Sequence, residues 1–328
     1  MRYQFSGPLA PIIERHLELQ RSLGLQQNSA GYTLAAFDRH LINRFPQART
    51  ITRSMVVDFL NTISHVQHWT RRQRLGYLRQ FCRFLFQLDG ESYIPESGLL
   101  PAATRTFKPY LYTASEVVAL MSSARQLRPI YPLRAESCET LIGLLWVTGM
   151  RIGEALRLNL ADVDLVQGLL QIHQTKFYKS RLVPLSSSTV GALKSYSSLR
   201  TQCGYDIGPT APFFVGVKGM RWRYETFKFI FSRLVRQLGL KTERGSSPRL
   251  HDLRHSFASR SLTNLYKTGK DPTAYLPVLA TYMGHARVAD TALYLHPGID
   301  LLETAGTRFK AYVQEASELS AGGAYASH

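Results

Sequence analysis

Residues 141–156 read LIGLLWVTGMRIGEAL. The apolar run from Leu141 to Val147 is the longest in the chain, and it falls far short of the about 20 residues a membrane span requires. It predicts an apolar, buried helix that ends at a turn permitted by Gly149, with Arg151 just beyond it and Glu154 three residues further on. Three later segments also carry reactive side chains. Leu169 to Thr175 and Arg181 to Ser186 flank residues 176–180 and predict a β-hairpin that presents Lys176 and Lys179. His251-Asp-Leu-Arg-His255 sets His251 and Arg254 three apart, on one side of a helix. Residues 283–296, MGHARVADTALYLH, hold His285 and Tyr294.

The chain as a whole is basic: 40 Lys plus Arg against 23 Asp plus Glu leave +17 over 328 residues. An ordinary near-neutral metabolic enzyme does not need such an excess, whereas a polyanion partner does, and nucleic acid is the first candidate. Residues 1–90 contain 12 Arg, no Lys and 5 acidic residues; the first lysine is Lys108. Arginine forms planar bidentate contacts with phosphates and base edges that lysine does not copy, so an all-arginine segment points to DNA. Cys82, Cys138 and Cys203 are widely spaced, odd in number and without a C-x-x-C pair, which suits a reducing cytoplasm. The N-terminus shows no secretory signal.

Helical periodicity runs through 9–24, 29–45, 53–64 and 68–89, with breaks at Gly24, Pro46 and around His65. In the fourth segment Leu75, Leu78, Cys82 and Leu85 form one apolar stripe, joined at its edge by Phe81 and Leu88. Arg72, Arg79 and Arg83 cluster about a quarter-turn round from it and are DNA-binding candidates. The pattern breaks over 91–112, where Pro95, Pro101 and Pro109 mark a linker. Thr113 and Glu116 then form a capping box. Ala211 to Val217 is a further strand candidate, and 317–328 reads as a flexible tail.

Two arginines, a lysine, two histidines and a tyrosine together describe a definite chemistry. Arginines clamp a phosphate and stabilise the charge that builds at phosphorus. Tyrosine forms a covalent intermediate once its barrier is lowered, histidine handles the proton and lysine protonates a leaving alkoxide. The set describes metal-free transesterification of a phosphodiester. A zinc site on His251 and His255 is the competing use of H-x-x-x-H, but Asp252 stands where a catalytic glutamate would be needed.

In this order and spacing the four segments resemble the tyrosine recombinase (integrase) family over about residues 1–315, most closely from Leu141 to His296. The resemblance implies a mostly α fold with a small β-hairpin or sheet: a two-domain C-shaped clamp with a helical core-binding domain at 1–90 and an α+β catalytic domain at 113–316. It implies that Arg151 and Arg254 clamp the phosphate and that Glu154 supports the site. Lys176, aligned by counting back from RLVPL in preference to Lys179, is the implied general acid. His251 lies near the proton transfer, His285 donates to the scissile phosphate and Tyr294 is the nucleophile. His255 and His296 read as peripheral, and Tyr266, Tyr275 and Tyr282 as ordinary packing or surface tyrosines. No cofactor or metal is implied. The implied partner is double-stranded DNA with inverted half-sites, bound by four protomers, with companion recombinases and a mobile element as the setting. The segment Ile299 to Val313 is the candidate for docking into a neighbouring protomer. The interval from Arg254 to His285 is longer than the family pattern, with the excess near 264–275. DNA relaxation in the manner of a type IB topoisomerase is the alternative outcome of the same chemistry.

Overall fold

The computed structural model describes residues 3–25, 28–102, 108–173, 180–285 and 287–292. The chain divides into two compact units, Met1–Phe107 and Lys108–His328. The structure is mostly helical with one small sheet.

The first unit contains α1 (Ala10–Ser22), α2 (Asn28–Arg44), α3 (Arg53–Thr62) and α4 (His68–Asp89). Local chemistry explains the ends. Proline at the start of α1 removes an N–H that has no intrahelical partner. The Thr52 hydroxyl caps α3, and Gly90 ends α4 at φ 67°. Leu75, Leu78, Phe81, Cys82 and Leu85 of α4 are buried in the core with Phe37, Phe59 and Leu60. Leu88, expected at the edge of this stripe, is 49% exposed, in the last turn before the chain reverses at Gly90.

Of the stretch read as a linker, residues 92–101 lie along the first unit. The Tyr93 N–H donates to the Ile51 carbonyl at 2.7 Å, and the Ile51 N–H to the Ser92 hydroxyl at 3.0 Å. Leu100 is buried in the helical core. Arg79 donates to the Pro95 carbonyl at 2.6 Å, and Arg72 to those of Leu100 and Pro101 at 2.8 and 2.6 Å. Two of the three α4 arginines singled out for DNA thus hold backbone; Arg83 is exposed. Tyr110 and Tyr112 pack with the second unit.

The second unit opens with α5 (Ala114–Arg125), started by a Thr113–Glu116 capping box. α6 (Arg134–Thr148) supplies Leu141, Ile142, Leu144 and Leu145 to the core and ends at Gly149, φ 59°. The short α7 (Ile152–Arg157) follows. Strands β1 (Val163–Asp164), β2 (Leu169–Ile172) and β3 (Arg181–Pro184) form an antiparallel sheet in that order, with Ile172 opposite Arg181. The remaining helices are α8 (Ser187–Gln202), α9 (Tyr224–Gln237), α10 (Asp252–Lys267), α11 (Pro272–Met283) and α12 (Ala289–Ala292).

Residues 211–217, a strand candidate by sequence, form only isolated bridges, Asn159 with Pro212 and Val215 with Arg221. Side chains replace the ladder there. The Tyr196 hydroxyl accepts from the Val215 N–H, and the Val215 carbonyl accepts from the Trp222 indole at 2.7 Å and from Ser137. The long 264–275 interval is the end of α10, a turn through Gly269 at φ 81°, and the start of α11 capped by Asp271. The expected docking segment, Ile299 to Val313, and the tail 317–328 lie outside the described residues. Among the described residues no helix is long and apolar enough to cross a membrane.

Candidate active site

A helix leaves its last carbonyls without intrahelical partners and carries partial negative charge at that end. At the end of α11 three consecutive carbonyls each receive a different arginine. Arg181 Nε donates to Tyr282 at 2.7 Å, Arg254 Nη2 to Met283 at 2.6 Å and Arg151 Nη2 to Gly284 at 3.0 Å. Gly284 turns the chain at φ 68°, and a Cβ on it would stand 2.8 Å from the Arg181 guanidinium. The three arginines arrive on separate elements: Arg151 as the residue before α7, Arg181 as the first residue of β3, and Arg254 in the first turn of α10. Arg254 is 2% exposed and also donates from Nη1 to the Gly149 carbonyl at 2.7 Å, so it joins the exit of α6 to the end of α11.

Glu154 lies beneath this cluster, 3% exposed. Its carboxylate accepts from Arg151 Nη1 at 2.9 Å, from the Arg151 N–H at 3.0 Å, and from Arg181 Nη2 and Nη1 at 2.7 and 3.2 Å. Burial by itself raises the carboxyl pKa. The hydrogen bonds and charge of Arg181, with the contacts of Arg151, outweigh it and hold Glu154 below its ordinary value. Arg151 and Arg181 thus share the one carboxylate of Glu154 while Arg254 is held by carbonyls alone, so the three-arginine cluster keeps a positive excess. The Arg151 side chain is 33% exposed and that of Arg181 is 10% exposed, so Arg151 is the more open of the two.

The histidines sit in the same field. His251 immediately precedes α10, and its ring meets that of His255 edge to face at 4.9 Å. His285 follows Gly284; its N–H donates to the Ala280 carbonyl at 2.9 Å, and its Nδ1 lies 2.7 Å from the hydroxyl of the fully buried Thr291. Desolvation and then the charge of Arg254, followed by Arg249 for His251 and Arg151 for His285, push both imidazoles down to about 4. His255 is lowered to about 3 by desolvation, then by His251 and Arg249. All three are therefore neutral near pH 7, and a neutral imidazole can both accept and donate a proton. Asp252 is bonded to the Arg249 N–H and guanidinium at 2.7 and 2.8 Å. Among the described residues no group of three or more His, Cys, Asp or Glu could hold a metal ion.

Arg151, Glu154, His251, Arg254 and His285 therefore lie in one cluster. Lys176 and Tyr294, with the less favoured Lys179 and His296, lie outside the described residues. Tyr282 stacks on Phe257 at 5.6 Å, and burial raises its pKa. Arg181 is the residue that sequence reasoning passed over. It appeared only as a letter in RLVPL, and its partners are 27 and 101 positions away along the chain.

Residues 111–298 match the model of the phage integrase family. A Sinorhizobium fredii protein named as an integrase/recombinase, y4rB, is 37% identical over 305 residues, covering 91% of this chain and 96% of its own. A tyrosine recombinase XerC of Pelobacter propionicus is 25% identical over 305 residues, covering 90% and 94%. Among solved structures, the XerH site-specific recombinase bound to a palindromic difH substrate in a post-cleavage complex is similar with a TM-score of 0.66 and 21% identity, over 86% of this chain and 79% of that one.

Proposed function

Because the chain belongs to the phage integrase family of tyrosine recombinases, we propose that it is a site-specific recombinase that cuts and rejoins DNA through Tyr294. The observation that carries this reading is the gathering of Arg151, Arg254, His251 and His285 around one helix end in a net positive site. Arg151 and Arg254 bind the non-bridging oxygens of one phosphodiester and stabilise the charge added in the transition state. The Tyr294 oxygen attacks phosphorus, the bond to the 5′ oxygen breaks, and a 3′-phosphotyrosyl bond takes its place. The tyrosine proton passes to His251, whose basicity rises once an anionic phosphate lies beside it. Lys176 protonates the departing 5′ oxygen. The Thr291 hydroxyl lies 2.7 Å from His285 Nδ1; in this reading it donates to that nitrogen, and the ring hydrogen then sits on Nε2 to bond the phosphate. Attack by a 5′ hydroxyl of the partner strand reverses each change, so the number of phosphodiester bonds is conserved.

The basic first unit supplies the grip on DNA, with Arg83 exposed on α4 and the more enclosed Arg72 and Arg79 shaping the segment beside it. Four protomers on two DNA sites, each made of inverted half-sites, and joined through 299–313, complete the proposed assembly, which works in the cytoplasm on DNA of a mobile element. The relatives' integrase and recombinase names favour strand exchange over simple relaxation.

The test uses nicked duplexes carrying the inverted repeats that flank the gene. Wild type is expected to form a protein–DNA adduct that survives detergent; Tyr294→Phe is expected to bind equally and form none. An adduct with Tyr294→Phe refutes the assignment. Relaxation of any plasmid without recombinants between two cognate sites moves the function to the topoisomerase class.

A further inference from the structure

Arg151 faces two competing anions, the Glu154 carboxylate three residues away and the phosphate it is proposed to bind. With Glu154 as its only neighbour, Arg151 would form a closed neutral pair whose charge is spent inside the protein. Arg181 changes that balance. Its two terminal nitrogens meet both oxygens of Glu154 at 2.7 and 3.2 Å, the fork-to-fork geometry that favours arginine over lysine. Its Nε is fixed on the Tyr282 carbonyl, and Gly284 leaves the space in which its guanidinium lies. The Arg181 side chain is largely covered, whereas that of Arg151 is a third exposed.

We propose that Arg181 is a positioning residue for the arginine clamp: it neutralises Glu154 and anchors the Tyr282–Gly284 turn, so that the Arg151 guanidinium keeps its charge for the scissile phosphate. Arg181 does not touch the DNA in this account; it acts through Glu154 and Arg151. The inference rests on the recombinase reading above.

The test is the rate of covalent adduct formation on the nicked duplexes, with the scissile position first mapped with wild type. Each duplex is made with an ordinary phosphodiester or with a neutral methylphosphonate at that position. Arg181→Met is expected to lose about 100-fold or more on the phosphodiester, the scale of one lost oxyanion donor. On the methylphosphonate, which carries no charge to neutralise, its rate is expected to approach that of wild type. The double variant Glu154→Gln/Arg181→Met removes the competing carboxylate along with its partner and is expected to regain most of the phosphodiester rate. It also covers the case in which Arg181→Met, with Glu154 left buried beside one cation, fails to fold. Equal loss on both substrates, an unchanged phosphodiester rate, or a double variant as slow as the single one overturns the proposal. A wild-type protein that forms no adduct on either duplex overturns the recombinase reading instead.

Discussion

Replacing Gly149 by alanine tests how tightly the exit of α6 is fitted to α10. Gly149 sits at φ 59°, and an added Cβ would meet the Phe257 ring, overlapping Cδ1 and lying 2.6 Å from Cγ and 3.0 Å from Cβ. Left-handed backbone at a non-glycine residue costs about 1–2 kcal/mol, and overpacking a fitted interior costs about 1–3 kcal/mol. The expected loss is therefore about 2–5 kcal/mol. Phe257 has little room to yield, because it stacks on Tyr282 and lies one turn beyond Arg254, which donates to the Gly149 carbonyl itself. Trp69 belongs to the first unit, and Trp146 and Trp222 to the second. In a Trp69→Phe background, urea unfolding followed by tryptophan fluorescence thus reports the second unit, and Trp146 lies directly under Arg260 of α10 at 3.7 Å. With a urea slope of about 2–3 kcal/mol/M, Gly149→Ala should lower the midpoint by about 0.7–2.5 M. Adding Phe257→Ala removes the overlap with Cδ1 and Cγ and leaves the backbone strain and the 3.0 Å contact to Cβ, so the cost of Gly149→Ala should shrink toward the about 1–2 kcal/mol of the backbone alone in that background. An unchanged midpoint, or strict additivity of the two substitutions, refutes the steric argument.

Two further outcomes follow from the same contacts. Arg254→Lys places a point charge where a fork spans the Gly149 and Met283 carbonyls; one buried acceptor loses its partner at about 1–3 kcal/mol, and adduct formation drops by about 100-fold or more. Wild-type urea midpoints and rates in this variant would place the clamp elsewhere. The lowered histidines make stability depend on pH with a definite sign: between about 6.5 and 4 the unfolded chain binds protons that folded His251, His255 and His285 do not, so stability falls on acidification through that window. His16 and His40 of the first unit are also lowered, by burial, which is why the measurement needs the fluorescence of the second unit. A urea midpoint for that unit that stays constant from pH 7 to pH 5 contradicts the neutral assignment.

Much of the local structure was legible in the residues alone. The stripe through Leu75, Leu78, Cys82 and Leu85, the Thr113–Glu116 cap and the hairpin around 169–186 are encoded within one or two turns or one strand pair, where backbone geometry dictates spacing. The candidate site residues were legible for a related reason: Arg151 follows a glycine turn, and His251 and Arg254 stand three residues apart at the start of α10. Other features depend on partners far along the chain. Residues 211–217 have strand-like composition, yet Tyr196, Trp222 and Ser137 satisfy Val215 and no ladder forms. Arg72 and Arg79 carry the same charge as Arg83 but are drawn onto backbone carbonyls 16 to 29 residues later. Arg181 shows the division most clearly. By itself the sequence determined which charged and titratable side chains the chain owns and the local elements that bear them. Only the tertiary structure decided that three arginines, from the residue before α7, from β3 and from α10, would meet three successive carbonyls at the end of α11, because an unpaired helix end attracts cations wherever the fold brings them.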